Sequence, residues 1–451
     1  MNSFDYLASG FFFLAVVHTL FSPFLFHKGS SMIDYALQKR NIHKTLPQRV
    51  YFWGALLRFV GEVEIIFGLW LLPLFFVLVF QVGWDKAFEV MKLKGEYPEA
   101  FFVSLLMIIS STNPILSTFQ RLIGLFCPKK VESVARWWFW ILTLGPIFGS
   151  LITEASAMTL SALLLKKNFF VINPNPSLAY GTIGLLFFNI SIGGALTNFA
   201  APPVVLVANK WRWDSLYILV HFGALFILGM IITNLAYYFF FRKEFNRLET
   251  ERKSLIAEAG NELLSPLDEE IPLWIRFVNF AFLAAVTLIP KHFVLMLGEL
   301  IFFFAFMEAT KDYQGEVPWL KAFLVGFFLF SLEVFGNLQS WWVNRLLSHL
   351  SFFPLYLSSV LLSSFNDNAL VSYVATLIVP EMDESRKRAI IAGALSGGGL
   401  TILANAPNLA GLSLLRDFFP EGFSPIRLFK MAVIPTAFVT ILFILKEVFV
   451  R

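Results

Sequence analysis

The sequence predicts an all-α, polytopic membrane protein built from two inverted-topology repeats. Three observations lead to this prediction. The chain has 451 residues, of which 57% are apolar, and its mean hydropathy of +0.70 is far above that of soluble domains. Apolar runs long enough to cross a bilayer recur along the chain. Two of these runs carry similar interruptions, one in each half, which indicates an internal duplication.

The more strongly interrupted run is 392–415, AGALSGGGLTILANAPNLAGLSLL. Glycine costs about 1 kcal/mol and proline about 3 kcal/mol inside a helix, and backbone groups freed in lipid need new partners. Such a break is typical of transporters, in which discontinuous helices line a polar cavity. Residues 191–204, SIGGALTNFAAPPV, repeat the pattern. Aligned without a gap, the two stretches match Gly193 with Gly398, Gly194 with Gly399, and Pro202 with Pro407.

Each repeat is predicted to contain five membrane-spanning helices and one re-entrant hairpin, with a broken helix directly after the hairpin. The first repeat covers 1–241, and the second covers 271–451. A charged cytoplasmic linker, 242–270, joins them and shows no sustained apolar face. The hairpins are predicted at 137–165 and 352–380, and the broken helices at 178–208 and 389–415. The remaining spans are predicted at 4–26, 50–82, 100–126, 215–241, 272–290, 293–309, 318–343 and 426–450.

The inversion follows from the odd number of spans in each repeat, because the second repeat then enters the bilayer from the opposite side. The count depends on dividing 272–309 at Lys291 and His292; if that stretch is one span, the halves are not inverted. Lys and Arg are enriched in the loops that this topology places in the cytoplasm, with the N-terminus outside. This distribution agrees with the positive-inside rule.

Composition and motifs exclude several classes of protein. The single cysteine, Cys127, provides neither a disulfide framework nor a cysteine metal site. A net charge of +4 gives no reason to expect a nucleic-acid partner. The HExxH, GxSxG, Walker and dinucleotide-binding motifs are missing, so we expect no enzyme activity and no organic cofactor. The first apolar run lacks a basic stretch before it and a clear cleavage site, which predicts a retained span.

The first candidate site residue is Asp367, in the second predicted hairpin. A charged side chain inside a membrane span is costly and marks a functional site by default. Asp367 is flanked by Asn366 and Asn368, and carboxylate and amide oxygens can replace the water ligands of a small hard cation such as Na⁺. The same carboxylate can take a proton when the cation leaves. These three residues are therefore the predicted Na⁺ ligands.

The first half supplies a second acidic candidate, Glu154, next to Thr153. The repeat places Thr153-Glu154-Ala155 on Asn366-Asp367-Asn368, so Glu154 is predicted to be the counterpart of Asp367. Its neighbours offer fewer ligands, which leaves a structural role open. Three asparagines in the breaks offer uncharged oxygens to an ion, or only satisfy freed backbone groups: Asn198, Asn405 and Asn408.

Four other carboxylates lie in predicted spans. They are Glu62, Glu64, Glu299 and Glu333. Arg58 precedes Glu62 by one helical turn, so an ion pair between them is the favoured interpretation. The sequence SSTNP at 110–114 interrupts the third span, either as part of the cavity or as a packing kink.

The hairpin sequence SSFNDNALVSYVATLIVP and the break GGGLTILANAPN resemble the ion transporter superfamily. This group includes sodium/proton antiporters, arsenite carriers, and sodium-coupled citrate and dicarboxylate carriers. Within it, FNDNA and ANAPNLAG are most similar to the bacterial putative sodium/proton antiporter family. The resemblance covers about 61–450 and is most specific at 363–376 and 395–411. It implies ion sites where hairpin tips meet helix breaks, elevator-type alternating access, and a dimerising scaffold, hence a homodimer.

The chain departs from this pattern at the hairpin tips. The resemblance implies a Ser-Asn-Thr triplet in each half of the carboxylate carriers, where this chain has Thr153-Glu154-Ala155 and Asn366-Asp367-Asn368. Two acidic residues would repel a carboxylate substrate, which favours a cation.

The expected function is therefore secondary antiport of Na⁺ (or Li⁺) against H⁺ across the bacterial cytoplasmic membrane. In this hypothesis Asp367 is the shared carboxylate, and Glu154 with the break at 193–203 forms a mirror site. The expected partners are small ions and the lipid bilayer. One alternative is a sodium-coupled carrier of an organic or oxyanion substrate, such as citrate, a dicarboxylate or arsenite. Another is a membrane scaffold that transports nothing.

Overall fold

A computed structural model describes residues 3–43, 47–91, 98–127, 133–259, 271–289, 292–339, 341–342, 350–376, 382–419 and 423–449. All regular secondary structure in these residues is helical. The helices of the first half are α1 (Ser3–His43), α2 (Gln48–Val60), α3 (Val63–Val82), α4 (Trp84–Val90), α5 (Pro98–Ser110), α6 (Asn113–Leu125), α7 (Val134–Ile152), α8 (Glu154–Asn168), α9 (Pro176–Gly193), α10 (Pro202–Trp211), α11 (Ser215–Ile218), α12 (Ala224–Phe240) and α13 (Arg242–Ala259).

The regular secondary structure described in the second half is also helical. A π-turn joins α11 to α12, and single 3₁₀ turns follow α8 and the last short helix before the C-terminal one. The helices of the second half are α14 (Leu273–Leu288), α15 (Phe293–Ala309), α16 (Lys311–Gln314), α17 (Trp319–Asn337), α18 (Phe352–Phe365), α19 (Asn368–Thr376), α20 (Glu384–Gly397), α21 (Ala406–Leu415) and α22 (Pro425–Phe449).

The helices are long and apolar enough for a multi-pass membrane protein, which confirms that part of the prediction. Seven segments within the described residues could cross a bilayer, and the bent pair α5–α6 would make an eighth. Helices α14 and α18 are apolar but shorter. Five spans in each half remain a prediction. The seven segments are Phe4–Ser22, Glu64–Val82, Glu154–Ile172, Pro176–Gly193, Ser215–Phe240, Trp319–Gly336 and Pro425–Phe449.

Two predicted spans are interrupted in the structure. The single span predicted at 50–82 is wrong, because α2 ends at Val60 and α3 begins at Val63. The predicted Arg58–Glu62 ion pair needed one continuous helix; in the structure the Arg58 guanidinium instead lies 5.2 Å from the centre of the Phe26 ring. The third span does break where the sequence suggested, and α5 and α6 meet at 67°.

The charged segment after α12 is more ordered than the sequence suggested. It forms α13, which packs against α7 and buries Phe245 and Leu248. Phe245 and Leu248 lie one turn apart, so α13 docks through a short apolar contact within a mostly charged helix. A stripe of one apolar residue per turn is enough to dock a helix that is otherwise charged. Residues 260–270 of the predicted linker lie outside the described residues.

The predicted hairpins are each observed as two helices in contact. Hairpin 1 consists of α7 and α8 with a turn at Thr153, and hairpin 2 consists of α18 and α19 with a turn at Asn366 and Asp367. Residues 377–380 of the predicted second hairpin lie outside the described residues. Both predicted broken helices are also interrupted, at residues 194–201 (break 1, between α9 and α10) and at 398–405 (break 2, between α20 and α21).

The two halves pack around these elements in a reciprocal way. The first arm of each broken helix packs on the first arm of its own hairpin, α9 on α7 and α20 on α18. The second arm crosses to the other half, where α10 packs on α19 and α21 packs on α8. Each hairpin is therefore held by helices from both halves, and both turns meet both breaks at one place.

Candidate functional site

A buried cavity lies where the hairpin turns meet the breaks. Of the described helices, four begin at its wall: α8 at Glu154, α10 at Pro202, α19 at Asn368 and α21 at Ala406. The cavity volume is about 40 Å³, on a measure where one water takes roughly 10–15 Å³. In this conformation the cavity has room for a small ion and not for an organic anion of the size of citrate.

Asp367 holds hairpin 2 against break 2. Its Oδ1 accepts the backbone N–H of Ala369 at 2.8 Å, and its Oδ2 accepts that of Ala406 at 3.0 Å. These donors belong to the first turns of α19 and α21, so the carboxylate faces the positive ends of two helices. A further hydrogen bond connects hairpin 2 to break 2, from the backbone N–H of Asn368 to the Ala404 carbonyl at 3.0 Å. Asp367 is only 4% exposed.

Glu154 faces the same cavity from hairpin 1 and is 1% exposed. Its Oε2 accepts a hydrogen bond from Asn405 Nδ2 at 2.9 Å. Its Oε1 is buried without a hydrogen-bond partner, and so is Oδ1 of Asn368. Buried acceptors without a donor are costly, and both of these oxygens belong to residues that line the cavity. Oxygens of this kind can coordinate a cation, and the carboxylate can also take a proton.

The turn of hairpin 1 is strained. Thr153 has φ of +85°, and a β-branched residue rarely adopts a positive φ. Its Oγ1 accepts the Ser156 backbone N–H at 3.4 Å and caps α8. Ser156 in turn lies 2.9 Å, Oγ to Oγ, from Ser110 at the α5–α6 bend. Strain of this kind persists where the surroundings hold it in place, commonly at functional sites.

Contacts in the two halves correspond, but in a register shifted by one residue from the predicted alignment. The first arms end at Gly193 and Gly397, and the second arms begin at Pro202 and Ala406. Thr197 Oγ1 donates to the Ser150 carbonyl and Thr401 Oγ1 to the Ser364 carbonyl, each at 2.7 Å. Gly194 and Gly398 therefore correspond, and so, by the same contacts, do Glu154 and Asn368.

This register corrects the predicted pairing of the two acidic residues. A side chain at Gly194 would meet Glu154, just as one at Gly398 would meet Asn368. Asp367 is thus the counterpart of Thr153, since each precedes the first residue of its helix. Glu154 and Asp367 line one cavity in this structure, whereas the sequence predicted two separate sites. The repeated glycines at 397–399 admit both registers, and the shifted one also matches Leu196 with Leu400 and Thr197 with Thr401, a signal that the predicted alignment overlooked.

A third carboxylate and one lysine also line the cavity. Glu64 of α3 lies 3.9 Å from Lys321 of α17, and both line the cavity. The sequence singled out Glu64 only as one of several span carboxylates and did not single out Lys321. Their helices come from different halves and meet through tertiary packing. With all four groups ionised, the cavity carries more negative than positive charge.

The remaining predicted ligands lie outside the cavity wall. Asn366 Nδ2 donates to the Leu362 carbonyl at 3.3 Å, which caps α18. Asn198 Oδ1 accepts from Ser215 Oγ at 2.7 Å. Asn408 Nδ2 donates to the carbonyls of Gly398 and Thr401 at 2.8 and 2.9 Å, so it closes break 2. Of the predicted residues, the cavity brings together Thr153, Glu154, Asp367, Asn368, Asn405, Pro202 and Pro407.

Comparison with known protein families decides the class of this chain. The model of one family, described as "Putative Na+/H+ antiporter", matches residues 3–446. The chain belongs to this putative Na⁺/H⁺ antiporter family. The match confirms the resemblance carried by the hairpin and break sequences, and it extends that resemblance over nearly the whole chain. No curated protein matches the chain.

The cavity of this antiporter-family protein is lined by carboxylate and amide side chains. In the part of the chain that the structure describes, no three His, Cys, Asp or Glu side chains are grouped to hold a metal ion. Carboxylate and amide oxygens from two hairpin turns and one break instead surround a small space. Carboxylate and amide oxygens are the ligands that hard cations prefer.

Proposed function

We propose that this protein exchanges Na⁺ (or Li⁺) for H⁺ by alternating access. The observation that carries the proposal is the pair of buried carboxylates, Asp367 and Glu154, in one small cavity with two acceptor oxygens that lack donors. Asp367, Asn368 and Glu154 are the proposed cation ligands, with Asn405 orienting Glu154. A proton and a cation both neutralise these carboxylates, so each ion competes with the other for the same site.

The surroundings favour a cation over an anion. The helix N-termini at the cavity would attract an anion if their N–H groups were free. Pro202 and Pro203 occupy the first two positions of α10, and Pro407 is the second residue of α21, so these positions have no N–H to offer. The N–H groups of Ala369 and Ala406 already donate to Asp367. An incoming carboxylate would meet acidic side chains in their place.

The proposal includes an arrangement in the membrane. Each hairpin enters and leaves the bilayer on one face, and because the two halves are inverted repeats, hairpins 1 and 2 open to opposite faces. The protein resides in a bacterial cytoplasmic membrane as a homodimer. The reciprocal packing of α10 on α19 and of α21 on α8 supports a two-fold relation between the halves. The site is formed by both halves. It can be exposed to either side of the membrane when the hairpins and broken helices move together relative to α3, α5 and α17.

The test is dye-monitored proton flux in proteoliposomes of the purified protein. Adding Na⁺ or Li⁺ should release protons from acidified vesicles, and K⁺ and Ca²⁺ should not. Saturable, Na⁺-dependent uptake of a labelled anion without proton exchange would favour the sodium-coupled carrier instead. Correctly folded protein that moves neither ion nor anion would indicate the scaffold.

Glu154→Gln should reduce exchange and shift its pH profile, while Na⁺ binding is retained. The substitution preserves the size of the side chain and its acceptance of the Asn405 hydrogen bond, but it removes one titratable charge from the cavity. The measurements are proton flux at several pH values and ²²Na⁺ binding to the purified variant. Glu308→Gln, at an exposed glutamate, is the matched control. A folded variant without detectable Na⁺ binding would show that the charge of Glu154 is essential for binding and contradict the prediction.

A further inference from the structure

A second, larger cavity adjoins the ion site. Its volume is about 550 Å³, and its wall includes Arg58, Glu62 and Leu320. The Leu320 side chain is 70% exposed, so this cavity reaches the molecular surface. Among the described residues, Lys321 is the one that lines both cavities. The larger cavity is thus a vestibule, and Lys321 lies between it and the carboxylates.

Lys321 is held in this position by an acidic residue. Its Nζ lies 3.9 Å from Glu64 Oε1, and the side chains are 32% and 4% exposed, respectively. At this distance the two charges attract without a short hydrogen bond. The other charged groups around the pair are Glu62 and Arg58 on the vestibule side and Asp367 and Glu154 on the cavity side. The ammonium therefore lies between the charged residues of the vestibule wall, Arg58 and Glu62, and the carboxylates of the small cavity.

We propose that Lys321 is a tethered cation that sets the affinity of the site for Na⁺ and controls entry from the vestibule. This inference rests on the proposed exchange function. An ammonium beside the cavity repels an incoming Na⁺, and Glu64 cancels most of that repulsion while the pair is intact. In the partly buried interior such charge effects are much larger than in water. The balance between Glu64 and Lys321 then keeps Na⁺ binding weak enough for release.

The charge logic predicts opposite effects for the two single variants. Lys321→Gln leaves Glu64 uncompensated and should lower the Na⁺ concentration for half-maximal exchange by about tenfold, with a slower maximal rate because release becomes harder. Glu64→Gln leaves the ammonium unpaired and should raise that concentration by about tenfold. The double variant lacks both charges and should return to within about threefold of the wild type. A tenfold change corresponds to about 1.4 kcal/mol.

The experiment measures ²²Na⁺ binding to the purified full-length protein and proton flux in proteoliposomes for all four forms. Lys321→Arg keeps the charge and should stay close to the wild type in affinity, which separates the charge from the shape of the side chain. Lys311→Gln is the matched control, because Lys311 pairs with Glu308 on the exposed surface at 3.8 Å. Size-exclusion profiles and melting temperatures show whether each variant is folded.

Three results would overturn the proposal. One is an unchanged Na⁺ affinity in Lys321→Gln. Another is a shift in the same direction for both single variants. The third is a double variant as weak as Glu64→Gln, which would make Glu64 a direct ligand rather than a partner of Lys321. Absence of Na⁺/H⁺ exchange in the wild type would instead refute the proposed function, so the two failures are distinguishable. If Lys321→Gln does not fold, Lys321→Arg and Glu64→Gln still provide the comparison.

Discussion

Asp367→Asn should abolish Na⁺-driven proton movement. The substitution keeps the size of the side chain and one acceptor oxygen, so the contact with the Ala369 N–H survives. The amide that replaces the second oxygen faces the N–H of Ala406, where a donor now meets a donor. More importantly, the cavity loses a charge that a proton can neutralise. A remaining cation at this site could no longer be exchanged for a proton.

The pH dependence of the wild type tests the same point. Because Na⁺ and H⁺ compete for one carboxylate, the Na⁺ concentration for half-maximal flux should rise as pH falls. Asp367→Glu keeps the charge but adds a methylene in a cavity of about 40 Å³, so weak exchange with a shifted pH profile is expected. The measurement is proton flux against Na⁺ concentration at several pH values. Asp312→Asn, at an exposed aspartate in α16, is the control. Wild-type exchange in Asp367→Asn would place the central carboxylate elsewhere, with Glu154 the first to examine.

Gly398→Leu and Gly399→Leu should each stop transport. A Cβ on Gly398 would lie 2.9 Å from Asn368 Nδ2 and would overlap Ser191 Oγ, so a leucine there would displace a proposed ligand. A Cβ on Gly399 would overlap the backbone of Phe188 in α9, which cannot rotate away. Overpacking of this kind is destabilising because the neighbours are close-packed. Break 2 can approach α9 and hairpin 2 only without side chains at these positions.

The matched control for these variants is Gly298→Leu. No atom lies within 4 Å of a Cβ built on Gly298, so the same substitution in a helix of the second half should leave flux unchanged. Membrane insertion is checked by expression and size-exclusion chromatography, and transport by proton flux. Of the two variants, Gly398→Leu should be the better folded, because its nearest neighbours are movable side chains. Wild-type rates in both would remove these glycines from the mechanism.

Much of the fold was accessible from the sequence because its signals are local. Runs of apolar residues indicated a multi-pass membrane protein, the glycine and proline clusters indicated both breaks, and SSTNP at 110–114 indicated the α5–α6 bend. The interruption at Gly61 and Glu62 was missed, since one glycine beside one glutamate resembles many uninterrupted helices. The docking of α13 was missed because Phe245 and Leu248 are too few to stand out among charged neighbours. The interruption at Gly61 and the docking of α13 both depend on which helix packs beside the segment.

The site was predicted in part for the same reason. Asp367, Glu154 and Asn405 were identified because polar residues in apolar stretches are conspicuous. Their meeting in one cavity was not predicted, since the alignment of the halves suggested two mirror sites and placed Glu154 opposite Asp367. Lys321 is the third residue of α17, and a lysine at the start of an apolar helix resembles one that anchors the helix at the membrane interface. Only the packing of α3 beside α17 shows that it faces Glu64.

The crossing of α21 onto α8 has a consequence for how the protein is made. While the ribosome is still synthesising the second half, α8 already exists but lacks its packing partner, and Glu154 lacks Asn405. These contacts join residues far apart in sequence, so they form late. The cavity therefore has no complete wall until break 2 and Pro407 have been translated. A chain interrupted before that point would contain hairpin 1 but could not assemble the cavity.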